Sequence, residues 1–265
     1  MFWGIKMKAK KKSNFGFIFL VFLVLVFSGC AIKKDNYSGG DSMEQNENTS
    51  TPVENNFEKV NFVTDDGFVV VGNLFRGNSD AVVLMHQLNT DKSSYDSFAK
   101  KLNDANFTVL AIDLRGHGES LEQNGLKRNW QDFSEEEFRR MLLDVKAAKK
   151  FLEQEGFKLR HLVGSSIGAN TALNYAANDA SIRKIILLSP GMDFKGISTE
   201  GNAIKVTAKT LFVASEEDTY SFGSSKSLAR LIPEAEVKEI RGAGHGTNMF
   251  QGTMLENELV EWLSN

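Results

Sequence analysis

The chain predicts an α/β domain with a mostly parallel eight-stranded sheet covered by helices on both faces. Two observations carry this expectation. From residue 81 onward, short apolar or alternating runs (81–86, 107–112, 159–163, 184–189, 210–214 and 236–240) are separated by segments of helical period. Most of these runs are apolar at successive positions, as strands buried on both faces must be, and parallel sheets bury their strands in that way. The segment 57–76 reads differently, as an antiparallel hairpin of strands 59–64 and 68–75 turning at Asp65-Asp66-Gly67.

The helical segments follow in order. Residues 92–105 place Tyr95, Phe98, Ala99 and Leu102 on one face. Residues 134–154 open with Ser134-x-x-Glu137, a capping-box pattern, and carry Phe138, Met141, Leu142, Val145 and Phe151 at helical spacing. A helix over 167–177, a shorter one over 225–231 and a closing one over 249–263 complete the series, with their apolar faces read as core packing.

The first 56 residues stand apart from this domain. Lys6, Lys8, Lys10, Lys11 and Lys12 precede an uninterrupted apolar stretch over 15–27. At about 1.5 Å per residue such a helix is too short for a hydrocarbon core of about 30 Å, so it reads as an export signal over 1–29. Phe27-Ser28-Gly29-Cys30 resembles a prokaryotic lipobox, with Phe27 where an aliphatic residue is usual, and Cys30 is the sole cysteine. The resemblance implies lipidation at Cys30 and an exported, membrane-anchored lipoprotein on the extracytoplasmic side; the alternative is a plain secretory signal. Residues 30–56, rich in Asn, Ser, Glu, Gly and Asp with hardly an apolar residue, read as a disordered tether, with weak glycosylation patterns at Asn36 and Asn48. The expected domain is therefore 57–265. A net charge of −3 with interspersed signs gives no reason to expect a nucleic-acid partner.

The chemistry-bearing residues fall after strands. Gly164-Ser165-Ser166-Ile167-Gly168 joins the run 159–163 to the helix 167–177, a strand–turn–helix around Gly-x-Ser-x-Gly that exposes the central serine oxygen. A serine nucleophile needs a base, and the base needs a group that fixes its tautomer. Ser215-Glu216-Glu217-Asp218 follows the run 210–214, and Gly242-Ala243-Gly244-His245-Gly246 follows 236–240. A parallel sheet gathers such loops at one edge.

An antiparallel start, a strand–helix series and a serine after the fifth strand resemble the α/β-hydrolase fold over essentially all of 57–265. The resemblance implies Ser166 as nucleophile, Asp218 as the orienting acid and His245 as base, in the family's chain order. Ser215 stands where the family often has glycine in Gly-x-x-Asp, and Asp193 is the alternative acid. Glu216 and Glu217 read as a solvated acidic loop. The oxyanion donors implied are the N–H groups of Ile167 and Leu88, although His86-Gln87 replaces the usual His-Gly. Asp113-Leu114-Arg115-Gly116-His117-Gly118-Glu119-Ser120 also resembles a family loop, in which His117 would be a brace. His86 is expected to orient its own loop, and His161 to be incidental.

No metal site and no cofactor are expected from four scattered histidines and one cysteine. The expected function is hydrolysis of small to medium carboxylic esters by a serine hydrolase of esterase or dienelactone-hydrolase type. Thioesterase or serine peptidase activity on the same triad, and an inactive lipid-anchored binding protein, are the alternatives. The expected partners are a small-molecule ester and the membrane, through Cys30. Residues 190–209 leave room for a minimal cap, and Trp130 and Phe133 are either acyl-pocket residues or ordinary packing.

Overall fold

Turn chemistry closes the first hairpin as expected. Strand β1 (Glu58–Val63) pairs antiparallel with β2 (Phe68–Phe75), and the Thr64 carbonyl accepts from Gly67 N–H in the turn between them. The computed structural model describes residues 57–265, so the expected signal segment, the tether, Cys30, Asn36 and Asn48 lie outside the described residues.

The remaining strands are β3 (Asp80–Met85), β4 (Thr108–Ile112), β5 (Glu122–Gln123), β6 (Leu126–Lys127), β7 (Lys158–Ser165), β8 (Lys184–Leu188), β9 (Asp193–Phe194), β10 (Ile197–Ser198), β11 (Lys209–Ser215) and β12 (Glu236–Ile240). The helices are α1 (Asp96–Asp104), α2 (Glu135–Arg139), α3 (Met141–Gln154), α4 (Ile167–Ala176), α5 (Glu200–Ala203), α6 (Thr219–Ala229) and α7 (Leu255–Ser264). The eight predicted strands form the main sheet in the order β12-β11-β8-β7-β3-β4-β2-β1, parallel from β12 to β4. The eight-strand expectation is two short: the β5–β6 ribbon continues the edge of β2 beyond β4 and makes ten. Two-residue strands carry no periodicity to read.

Strand alternation divides the core. Ala81, Val83 and Met85 of β3 face α3 and α4, whereas Val82 and Leu84 face α1 and α7. Both sets are fully buried, which is why β3 reads as a continuous apolar run.

Four helix boundaries differ from the sequence expectation, the first being that of 92–105, where residues 92–95 form a 3₁₀ turn and α1 begins at Asp96. The single helix expected over 134–154 is two, α2 and α3, meeting at Arg140 (ψ −4°); the Ser134–Glu137 capping box is present. The helix expected over 225–231 begins at Thr219, with Asp218 as its N-cap, in a stretch whose serines and glycine give no periodic signal. The closing helix begins at Leu255, because residues 246–250 form a separate 3₁₀ turn.

Buried ion pairs brace the loop after β4. Arg115 donates from Nε to Asp144 Oδ1 (2.9 Å) and from Nη1 to Asp66 Oδ2 (2.8 Å), joining the β1–β2 turn to α3. Asp113 accepts from Lys92 N–H (2.8 Å), Lys92 Nζ (2.7 Å) and Glu119 N–H (2.8 Å). Removing one partner of a buried pair strands the other charge, at a cost of about 3–5 kcal/mol. Arg115→Ala should therefore lower unfolding free energy by about that amount, read from urea denaturation.

At the opposite end of the sheet His161 packs edge-on against Phe107. Burial, aided by the nearby positive charges of Lys184, Arg183 and Arg160, pushes its pKa down to about 4. In the unfolded chain it titrates near 6.5, so between those values the unfolded chain binds a proton that the fold refuses. Its contribution to stability is complete above about pH 6.5 and falls as the pH drops toward 4. His161→Phe should reduce the loss of stability between pH 7 and 4.5 by on the order of 2 kcal/mol, and an unchanged slope in urea titrations would refute this.

Candidate active site

Strands β3, β7, β11 and β12 run parallel and end at one edge, so their following loops converge. Ser166 links β7 to α4 at φ 53°, ψ −113°, a sparsely populated backbone state for a side chain. Hydrogen bonds hold it there: Ser166 N–H donates to Leu188 O (2.8 Å), and its carbonyl accepts from the N–H groups of Ala169 and Asn170. The flanking glycines permit the close approach. A Cβ on Gly164 would lie 2.2 Å from Gly168 O, and one on Gly168 would lie 2.4 Å from Met85 O.

His245 leads the loop after β12, and its Nδ1 meets Asp218 Oδ2 at 2.6 Å. A carboxylate there accepts a hydrogen bond from Nδ1–H, which fixes that tautomer and leaves Nε2 as an acceptor. Phe194 sets its ring edge-on to the imidazole at 6.3 Å. Ser166 and His245 line the same cavity of about 520 Å³; the Asp218–His245 hydrogen bond is formed and a Ser166–His245 one is not. Ile167 and Leu88 also line the cavity, and among the described residues neither backbone N–H is engaged in a hydrogen bond.

The other sequence candidates separate clearly. Asp193 lies at the cavity rim, but its Oδ1 accepts from Gly196 N–H within the β9–β10 hairpin. Glu216 pairs with Arg241, and Glu217 accepts from the Ser215 hydroxyl (2.5 Å) and Gly242 N–H (2.7 Å). Those two contacts hold the Glu217 carboxyl below its usual range. The acidic loop is thus exposed but fastened, tying the end of β11 to the loop of His245. His86 Nε2 accepts from Leu114 N–H (3.0 Å), so Nδ1 must donate to Gln87 O (2.7 Å). His117 donates to Arg115 O and stacks on Trp130. Burial, with some repulsion from His86, pushes its pKa down to about 4.

Trp130 and Phe133 do not line the Ser166 cavity. Phe133 packs on Phe68 and Phe138, and Trp130 lines a neighbouring polar cavity that shares Asn89 and Thr90. The apolar wall comes instead from Leu88, Ile167 and Phe194. Phe194 sits in a hairpin whose turn residues, Lys195 and Gly196, both have positive φ; that pair was the available signal in the sequence.

Gln87, which stands where the resemblance implies glycine, is bonded through its side chain. Its Oε1 accepts from Ser165 Oγ (2.8 Å), Thr247 N–H (2.9 Å) and Thr247 Oγ1 (3.3 Å).

Comparison with known proteins places this chain among hydrolases. Residues 77–215 match the family model of serine aminopeptidase, S33. The 2-hydroxy-6-oxo-6-phenylhexa-2,4-dienoate hydrolase of Comamonas testosteroni is 27% identical over 119 residues, which are 43% of this chain and 38% of that one. The match thus spans well under half of that relative's length. An esterase from Rhodococcus sp. shares the fold with a TM-score of 0.65 at 15% identity, covering 78% of this chain and 98% of its own. A dienelactone hydrolase from Anabaena variabilis does so with a TM-score of 0.60 at 16% identity, covering 79% and 96%.

A Cβ at Gly246 (φ +62°) would fall 1.9 Å from Gln87 Oε1 and 2.2 Å from Ser165 Oγ. Gly246→Ala must displace the loop that carries His245. Misplacement by about 1 Å costs roughly a hundredfold, so the variant should lose catalysis on that scale while staying folded by circular dichroism.

Proposed function

Because the chain belongs to the serine aminopeptidase S33 family of hydrolases, we propose that it cleaves carboxylic esters of small to medium acyl groups through an acyl-enzyme. The observation that carries this reading is the Asp218–His245 hydrogen bond beside a strained, cavity-facing Ser166. A cavity of about 520 Å³ under a single short hairpin suits a small to medium substrate with open access.

In the proposed reaction Ser166 Oγ bonds to the ester carbonyl carbon as its proton passes to His245 Nε2. The carbonyl oxygen becomes an oxyanion held by the N–H groups of Ile167 and Leu88. Each such donor is worth about 10²–10³ in kcat. Collapse breaks the bond to the leaving oxygen, which takes the proton from His245. Water then attacks the acyl-serine, giving its proton to His245; the bond to Ser166 Oγ breaks, Oγ takes that proton from His245, and the carboxylic acid departs. Asp218 keeps the imidazole in its tautomer and stabilises the imidazolium in both halves.

The test is hydrolysis of p-nitrophenyl esters of increasing chain length. Ser166→Ala should lower kcat by about 10⁴–10⁶ and Asp218→Asn by about 10⁴, whereas Asp193→Asn should change it little. A wild type inert to esters but labelled at Ser166 by a fluorophosphonate would move the reading to thioesters or peptide amides. Neither turnover nor labelling would leave a binding protein with a hydrolase fold.

A further inference from the structure

We propose that the Gln87 carboxamide is a positioning residue that locks the loops of nucleophile, base and oxyanion donor into one register; this rests on the serine-hydrolase reading above. The three loops leave different strands. Gln87 is 78 residues from Ser165 and 160 from Thr247 in the chain, and one oxygen joins them. Each partner adjoins a residue of the machinery. Ser165 precedes Ser166, Thr247 lies two residues after His245, and Gln87 itself precedes Leu88.

The orientation of the amide follows from its partners. The Thr247 N–H can only donate, so the oxygen of Gln87 must face it, and the NH₂ group points elsewhere. Ser165 is fully buried and Gln87 nearly so, which makes these bonds costly to lose and hard for water to replace. A second tether works beside the first: Ser189 Oγ accepts from Gly246 N–H at 2.9 Å. Two successive amides after His245 are therefore fixed to the ends of β8 and β3. Gly246 and Gln87 require each other, since any side chain at 246 would occupy the place of the Gln87 oxygen. A glycine at position 87 would supply none of these bonds.

Four variants, Gln87→Met, Gln87→Glu, Gln87→Ala and Ser165→Ala, test the proposal in the full chain. Readouts are kcat and KM per titrated active site, the rate of Ser166 labelling by a fluorophosphonate, and Tm. Gln87→Met keeps the volume and loses the acceptor. It should lower kcat and the labelling rate together, about ten- to a hundredfold, with KM little changed. Gln87→Ala should fall at least as far. Gln87→Glu keeps an oxygen toward Thr247 and should recover most of the rate. Ser165→Ala should lower both rates less than Gln87→Met, and a fifth variant combining Gln87→Met with Ser165→Ala should lose less than the product of the two single effects.

Wild-type rates per site in Gln87→Met would overturn the proposal and leave a packing role. Gln87→Glu as slow as Gln87→Met would also overturn it, because the shared oxygen would then be irrelevant. Should the Gln87 variants fail to fold, Ser165→Ala decides alone, and an unchanged labelling rate in it refutes the proposal. Labelling does not depend on substrate class. A wild type that labels without hydrolysing esters therefore defeats the ester reading while the Gln87 comparison stands; a wild type that does not label defeats both.

Discussion

A serine held at φ 53°, ψ −113° stores strain that the surrounding structure must continuously oppose. In this protein the opposition comes from three directions. The Leu188 carbonyl of β8 takes the serine's N–H, the first turn of α4 binds its carbonyl, and two glycines let α4 press against β7 and β3 without a side chain between them. Such strain costs about 1–3 kcal/mol, small beside the burial of β3, β7 and β8 on both faces. The central sheet is in this sense what keeps the Ser166 oxygen presented to the cavity.

The same sheet explains why the loops around the cavity need their own fastening. Parallel strands deliver loops to one edge, but they do not set how those loops meet. Buried polar contacts do that here: Arg115 with Asp66 and Asp144, Asp113 with Lys92, His86 with Leu114, and Gln87 with Ser165 and Thr247. All of these groups are paired, and apart from the part-exposed Asp66 they are withdrawn from water, the condition under which a polar network rigidifies a fold instead of weakening it. Histidines outside the cavity are kept neutral by burial, as the low values of His117 and His161 show, and act as packing and hydrogen-bonding groups.

Much of this was legible in the residues. Unbroken apolar runs identify β3, β4 and β8, and the Gly-x-Ser-x-Gly pattern between strand and helix locates the strained serine, because each rests on local periodicity or backbone freedom. The reading weakened where tertiary contacts override local preference. Helix α6 begins at Thr219 in a serine-rich stretch with no helical signal, and the β5–β6 ribbon is too short to have one. Trp130 looked suited to an acyl pocket, yet it stacks on His117 one cavity away, while Phe194 takes the place beside His245.

The sequence by itself determined the α/β fold class and the chain order of Ser166, Asp218 and His245, since hydrophobic period specifies strands and helices, and a parallel sheet sends their loops to one edge. Only the tertiary structure decided which carboxylate meets His245, what walls the cavity and what Gln87 is bonded to. Those facts are contacts between residues up to 160 positions apart, and no local pattern encodes which side chains will lie within 3 Å once the strands are aligned.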